Sequence, residues 1–509
     1  MTAKTLMIQG TSSSAGKSLL TAALCRIFFR RGVRVAPYKS QNMSNNAAIC
    51  PDGAEIGRAQ AVQAVACGLE PTASMNPILL KPEADAHCQV VVMGRPWRHL
   101  GARAYYTHKT ELWAIVTEAL DQMRHDYELV IIEGAGSPVE LNLKTRDIVN
   151  MAIASYARSP VLLVGDIDRG GIFPQLLGTL WLLPEEERAL VRGLLVNKFR
   201  GDATLFEDGV RILEQRGGVP VVGVIPYLHG LAIPEEDAVA LEEASHETAM
   251  PDEAGARAAD GIDIAVIHLP RIANFDDFDP LAAEPGVRLR YVSSPSDLGR
   301  PRAIVLPGTK STSGDLRWLR MTGLAQAIQE QAATGTAVVG ICGGYQMLGQ
   351  TILDPEGIES ADDAVLGLGL LPVETTFVAR KETHRVRALV RGGPGWLGSA
   401  AGQMVEGYEI HMGHTRGNSP WLTLRERSQG SVEVADGAVS PDGRIWGCYL
   451  HGLFENLAFR QAWLRGLGWS GGGSLGESTG ALTARLDRLA DEVEQVLDMA
   501  LLERIIWGN

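Results

Sequence analysis

The stretch "VVGICGGYQMLG", residues 338–349, sets Cys342 at the end of an apolar run and directly before two glycines. A strand that ends in Cys-Gly-Gly and turns at once into a helix forms an elbow. Such an elbow exposes the thiol above a sheet, where the helix N-terminus favours the thiolate. That arrangement suits a nucleophile in acyl transfer, with the Gly343 N–H placed to hold the oxyanion of a tetrahedral intermediate. "LPGTKS" (306–311) is a second glycine turn at a strand end, and it offers Gly308 and Thr309 for the same purpose. The thiol needs a base. Among eleven histidines, His451 in "GCYLHGLF" ends an apolar strand followed by glycine, which places it at the same sheet edge. Near the other end of the chain, "QGTSSSAGKS" (9–18) follows an apolar strand and opens a helix. Gly10 permits the turn, Gly16 lets backbone N–H groups approach phosphate oxygens, Lys17 reaches the outer phosphates and the Ser18 hydroxyl is a Mg²⁺ ligand. Thr11 and Ser12 lie in the same nucleotide-binding loop. Five residues separate Gly10 from Gly16, one more than the standard phosphate loop contains.

Positioning these groups requires strands and helices in alternation. Apolar runs at 5–9, 33–38, 129–136, 160–168, 193–199 and 219–227 read as buried strands, and Lys17 to Arg31 reads as a helix. Continuous Val/Ile/Leu runs bounded by glycine fit a parallel sheet covered on both faces. Residues 241–260 lose apolar periodicity and read as a linker, after which 262–270, 303–311, 337–349 and 443–456 form a second alternating block. The expected organisation is an α/β phosphate-loop domain (1–240), the linker (241–260) and a second α/β domain (261–509). That second domain ends in a helical tail whose Leu482, Leu486, Leu489, Val493, Val496 and Leu497 form a packing stripe. A chain of 509 residues fits two or three domains. Its net charge of −13 opposes nucleic-acid binding, and no run approaches the ~18 apolar residues of a membrane span. The six scattered cysteines form no metal-ligand spacing, and the apolar stretch in "MTAKTLMIQG" is too short to read as a signal peptide. They are therefore expected to be reduced thiols in a cytoplasmic protein.

The lengthened loop resembles that of the dethiobiotin synthetase group, P-loop enzymes that phosphorylate a substrate carboxylate. This resemblance implies Glu133 in "IIEGAG" and Glu55 in "GAEIGRAQ" as metal-binding acids, Lys39 in "YKSQN" as the group that stabilises the transferred phosphoryl, and Asn197 in "VNK" as a contact to adenine. Glu133 has a reason of its own, because a carboxylate at a buried strand end needs a partner. Over nearly the whole chain, "YKSQNMSNNA", "EIGRAQAVQA", "MNPILLKP", "DIDRGGIF", "LPRIANFDDFDPL", "LPGTKST", "GICGGYQMLG" and "GYEIHMGHT" are similar to the cobyric acid synthase family.

The resemblance implies a class I glutaminase domain using Cys342 and His451, joined to a domain that uses ATP and Mg²⁺ to activate a carboxylate as an acyl phosphate. Glutamine supplies ammonia inside the protein, and the acceptor is adenosylcobyrinic acid a,c-diamide, amidated at its b, d, e and g carboxylates. Two other readings have different signatures. Cobyrinic acid a,c-diamide synthases differ in the substrate-facing segments, and a partition-type ATPase would ignore glutamine. His451 is followed by Gly452-Leu453, not the Pro-Glu of ordinary class I glutaminases. The third group is thus missing, with Glu409 and Glu455 as candidates to replace it. Asp166, Asp168 and Arg169 in "DIDRGG" are candidates for the substrate side.

Overall fold

The apolar runs of the first domain become six parallel strands: β1 (Lys4–Gly10), β2 (Val35–Tyr38), β3 (Leu129–Glu133), β4 (Val161–Asp166), β5 (Val191–Phe199) and β6 (Val221–Pro226). Their order is β6-β5-β4-β1-β3-β2. In the computed structural model, which describes residues 2–84, 87–231, 233–234, 261–360, 362–417, 419–428, 430–471 and 480–508, every pairing in this sheet is parallel. All the carboxyl ends therefore open on one edge, where α/β sheets bind ligands. Register brings Ile8 beside Glu133, Gly10 beside Val164 and Asp166 beside Asn197. Helix α1 (Lys17–Arg30) leaves that edge after β1, and the nine-residue α2 (Arg58–Ala66) packs against it.

Between β2 and β3 the chain inserts a four-stranded sheet from Gln41–Met43, Ile78–Ala84, His87–Val92 and Arg95–Gly101. Its outer strands are short or strongly polar, so they carry no apolar run to announce them. Its inner strands place Leu79 and Val91 against Tyr408 and Ile410 of the second domain.

That second domain has its own parallel sheet, built from β7 (Ile262–Ile267), β8 (Val287–Val292), β9 (Ala303–Leu306) and β10 (Ala337–Ile341). Helix α3 (Gly343–Leu348) follows β10 directly. A long antiparallel hairpin, β11 (Val373–Val390) with β12 (Met404–Gly417), anchors a second sheet. Along β11 buried and exposed residues alternate around charges, a half-buried pattern with no continuous apolar signal. Strand β13 (Ile445–Cys448) returns to lie parallel to β10, giving the order β8-β7-β9-β10-β13 with Ala438–Val439 antiparallel at the edge.

The tail departs from the expected division. Helices α4 (Gly480–Glu494) and α5 (Met499–Trp507) belong to the core of the first domain, where Leu486, Leu489, Ala490, Val493, Leu502 and Ile506 pack with Leu20, Leu24, Ile27 and Phe28 of α1. Arg26–Asp487 (2.8 Å), Arg30–Asp491 (2.7 Å) and Arg31–Glu494 (2.6 Å) flank this contact. Such part-exposed ion pairs contribute about 0–1 kcal/mol each, whereas each fully buried leucine contributes about 1.5–3 kcal/mol. The apolar stripe holds the tail in place. The expected linker at 241–260 and residues 472–479 lie outside the described residues.

Candidate active site

Cys342 occupies the turn between β10 and α3 with φ 52° and ψ −109°. A side chain in that left-handed region costs about 1–3 kcal/mol and persists only where its surroundings impose it. Here the Cys342 N–H donates to the Cys448 carbonyl at 2.9 Å, tying the elbow to β13. The thiol donates to the Ile410 carbonyl at 3.4 Å. Gly343 faces Thr309, since a Cβ at 343 would lie 2.7 Å from Thr309 Cγ2. A Cβ at Gly308 would meet His451 Cε1 at 2.8 Å, so only glycine lets the imidazole approach this turn. The structure thus brings Cys342, Gly343, Gly308, Thr309 and His451 to one cavity.

His451 is buried and donates from Nδ1 to Asp277 Oδ2 at 2.6 Å, while Asp277 Oδ1 accepts the Gly452 N–H at 2.8 Å. Tyr408 stacks on the imidazole with ring centroids 5.3 Å apart, and the two backbones exchange hydrogen bonds. Burial opposes the imidazolium. The Asp277 carboxylate beside it, with a hydrogen bond to Asp277 and the contact with Cys342, outweighs that effect and pushes His451 up to about 10. The third group is therefore Asp277. Glu409 is instead held by Arg427 (2.6 Å) and His411 (3.3 Å), and the hydrogen bond at His451 Nδ1 for which Glu455 is the other candidate is made by Asp277. Asp277 and His451 are 174 residues apart, so no local spacing links them. The only sequence signal is the run of three aspartates, Asp276, Asp277 and Asp279, inside the otherwise apolar "IANFDDFDPL".

The first domain closes this cavity. Lys81, Glu83 and His99 of its four-stranded sheet line it together with Lys310, Glu359 and Lys381. Lys310 pairs with Glu83 at 2.9 Å across the boundary. Burial pushes the Glu359 carboxyl up to about 7, against a hydrogen bond from the Ser313 N–H.

Glu55, expected at a metal, also lies at this boundary. One of its oxygens is ion-paired to Lys81 and the other to Lys381 at 2.5 Å. Burial disfavours its charge, yet the two lysines hold it well below the usual carboxylate range. With both oxygens taken by ammonium groups, Glu55 does not join Ser18 and Glu133.

At the other sheet edge, Gly16 caps α1 with φ 94°, and a Cβ there would lie 2.0 Å from Asn197 Nδ2. Asn197 donates to the Ala15 carbonyl at 2.9 Å, so it buttresses the loop. Thr11 N donates to the Val164 carbonyl (2.9 Å), and Lys17 Nζ reaches back to the carbonyls of Ser12 (2.7 Å) and Gly136 (3.3 Å). The first turn of α1 contains no acid, which leaves its positive end suited to phosphate. Glu133 gathers the remaining groups. It accepts from Ser18 Oγ at 2.7 Å, Lys39 Nζ at 2.9 Å and Gln63 Nε2 at 2.6 Å. Burial would raise its pKa, but Lys39, Gln63 and Ser18 together hold it below the ordinary value.

Hard oxygens from Ser18 and Glu133 suit Mg²⁺, which normally takes one or two carboxylates and completes its shell from phosphate and water. Among the described residues no group of three or more His, Cys, Asp or Glu gathers as a metal cage. Asp166 pairs with Lys198 (3.0 Å) and Asp168 with Arg200 (2.6 Å), on the same edge as the loop; Arg169 lies 3.7 Å from Asp166. All six cysteines are unpaired, and no described helix is long and apolar enough to cross a membrane.

Residues 6–239 match the CobQ/CobB/MinD/ParA nucleotide binding domain family, and residues 263–459 match the CobB/CobQ-like glutamine amidotransferase domain family. A protein of Roseiflexus castenholzii named cobyric acid synthase is 56% identical over 482 residues, covering 94% of this chain and 95% of that protein. Relatives of the same name in Chloroflexus aggregans and Chloroflexus aurantiacus are 53% and 52% identical, covering 99% of this chain and 99% and 100% of theirs.

Proposed function

The chain belongs to the cobyric acid synthase family of glutamine-hydrolysing amidotransferases, and on that premise we propose that it uses ATP to amidate the b, d, e and g carboxylates of adenosylcobyrinic acid a,c-diamide. The observation that carries the reading is the pairing, in one chain, of the Cys342–His451–Asp277 constellation with a phosphate loop backed by Ser18, Lys39 and Glu133.

In the glutaminase half, the Cys342 thiol gives its proton to His451, and the thiolate attacks the side-chain amide carbon of glutamine. The oxyanion that forms lies against the Gly343 and Gly308–Thr309 turns. The raised pKa of His451 lets it hold the thiol's proton as an imidazolium, and it delivers that proton to the departing nitrogen while Asp277 fixes its ring. Ammonia leaves, and water then releases glutamate from the thioester. Glu359 lines the cavity as a counter-charge for the α-ammonium of glutamine.

In the synthetase half, a corrinoid carboxylate oxygen attacks the γ-phosphorus of ATP, the bond to the β,γ-bridging oxygen breaks and ADP leaves. The α1 N-terminus and Lys17 hold the phosphates, and Lys39 offsets the charge on the group in flight. When bound at Ser18 and Glu133, Mg²⁺ supplies further charge neutralisation to the phosphates. The acyl phosphate provides the leaving group that a carboxylate lacks. Ammonia displaces phosphate and the amide forms. Ammonia is mostly protonated in neutral water, so delivery within the protein keeps it nucleophilic and concentrated. Asp166, Asp168 and Arg169 stand on the substrate side of the loop edge.

Incubation with adenosylcobyrinic acid a,c-diamide, glutamine and ATP–Mg²⁺, followed by product mass, tests this reading. Four successive carboxylate-to-amide conversions are expected. No conversion, with glutamine hydrolysis and ATP hydrolysis both active, would assign the two-site chemistry to another carboxylate.

A further inference from the structure

The turn that carries Asp277 is gripped from the other domain. It is a short 3₁₀ segment, Phe275–Phe278, entered through Asn274 at φ 52°. Asn46 Oδ1 of the nucleotide domain accepts the Phe275 N–H at 3.3 Å, and Asn274 Oδ1 accepts the Ala47 N–H at 3.4 Å. Asn274 Nδ2 in turn donates to the hydroxyl of Tyr408, the ring stacked on His451, at 2.9 Å. Beside these contacts the Arg58 guanidinium forms an ion pair with the buried Asp276, whose neighbour Asp277 holds His451. Arg58 also sits 6.0 Å from the Tyr408 ring centroid.

Arg58 begins α2, and its own N–H donates to the Asn46 carbonyl at 3.2 Å. Farther along this helix, Gln63 donates to Glu133 and to the Ser18 carbonyl (3.3 Å). The helix is thereby fastened to the phosphate site at one end while its other end presents a charge to the glutaminase.

We propose that Arg58, a residue of the nucleotide domain, is a positioning residue of the glutaminase: by pairing with Asp276 it holds the 275–278 turn so that Asp277 orients His451 toward Cys342. The proposal rests on Cys342 being the glutaminase nucleophile. It makes glutamine hydrolysis depend on an ion pair that the nucleotide domain contributes. A buried carboxylate left without its cation must shift or neutralise, and the adjacent Asp277 moves with it.

The test reads glutamine hydrolysis by the full-length protein without ATP or corrinoid, so its outcome is separate from the identity of the amide acceptor. Arg58→Gln is expected to lower kcat about 10- to 100-fold with KM changed less than about twofold. It should also slow alkylation of Cys342 by iodoacetamide while retaining ammonia-supported amidation. Asp277→Asn sets the full scale, about 10²- to 10⁴-fold. Arg58→Lys, which keeps the cation, should recover part of the loss.

A second variant guards against a merely damaged fold. Arg58→Gln combined with Asp276→Asn removes both buried charges together, and it should remain low in kcat. The proposal is overturned if Arg58→Gln hydrolyses glutamine at the wild-type rate, if ammonia-supported amidation falls in parallel, or if the double variant returns to full hydrolysis.

Discussion

Cys342→Ala is expected to lose glutamine-supported amidation by more than about 10⁴-fold while keeping ammonia-supported amidation within about twofold. The size of the first effect follows from chemistry: without the sulfur no thioester forms, and the remaining groups only orient water. The second follows from placement. Cys342 lies between β10 and α3 of the second domain, and its contacts are to the backbone of α3, β12 and β13 and to His451. None of them reaches the Ser18–Glu133–Lys39 group. Alanine is also smaller than cysteine, and it meets the same left-handed backbone at 342, so the elbow gains no new clash. The assay compares glutamine with ammonium chloride at a pH where free ammonia is plentiful. Loss of both activities in folded protein would contradict the division of labour between domains.

Lys17→Ala carries the second large effect and the opposite pattern. Amidation should fall at least about 10²-fold with either nitrogen source, and glutamine hydrolysis should continue. Lys17 is the cation of the loop, buried and folded back onto the Ser12 and Gly136 carbonyls. Losing one such preorganised donor to a developing anion costs about 10²- to 10³-fold. Because Lys17 does not line the glutamine cavity, thioester chemistry at Cys342 has no reason to change. Amidation persisting at the wild-type rate would remove the phosphate loop from the reaction.

Much of this was legible from residues alone, for identifiable reasons. A nucleophile elbow and a phosphate loop are local devices: glycine, the reactive residue and the flanking apolar strand all fall within a dozen positions. The buried parallel strands advertise themselves by continuous Val/Ile/Leu runs. Features built from distant or half-buried residues stay hidden. Asp277 meets His451 across 174 residues, and nothing in the spacing of either suggests the other. Glu55 looks like a metal ligand until Lys381, 326 residues away, is found on its second oxygen. The β11–β12 hairpin alternates charge with burial and so mimics a loop. The tail stripe was readable as a packing face, but a stripe does not name its partner. Its partner is α1, in the other domain.

The central claim is that ammonia made at Cys342 is consumed at the phosphate site of the same molecule. Amide-¹⁵N glutamine supplied with ATP–Mg²⁺, the corrinoid and a large excess of unlabelled ammonium at neutral pH tests it most directly. The account predicts product amides carrying the label well above its fraction in bulk ammonium. Label diluted to the bulk ratio would contradict it, because the two sites would then be exchanging through solvent.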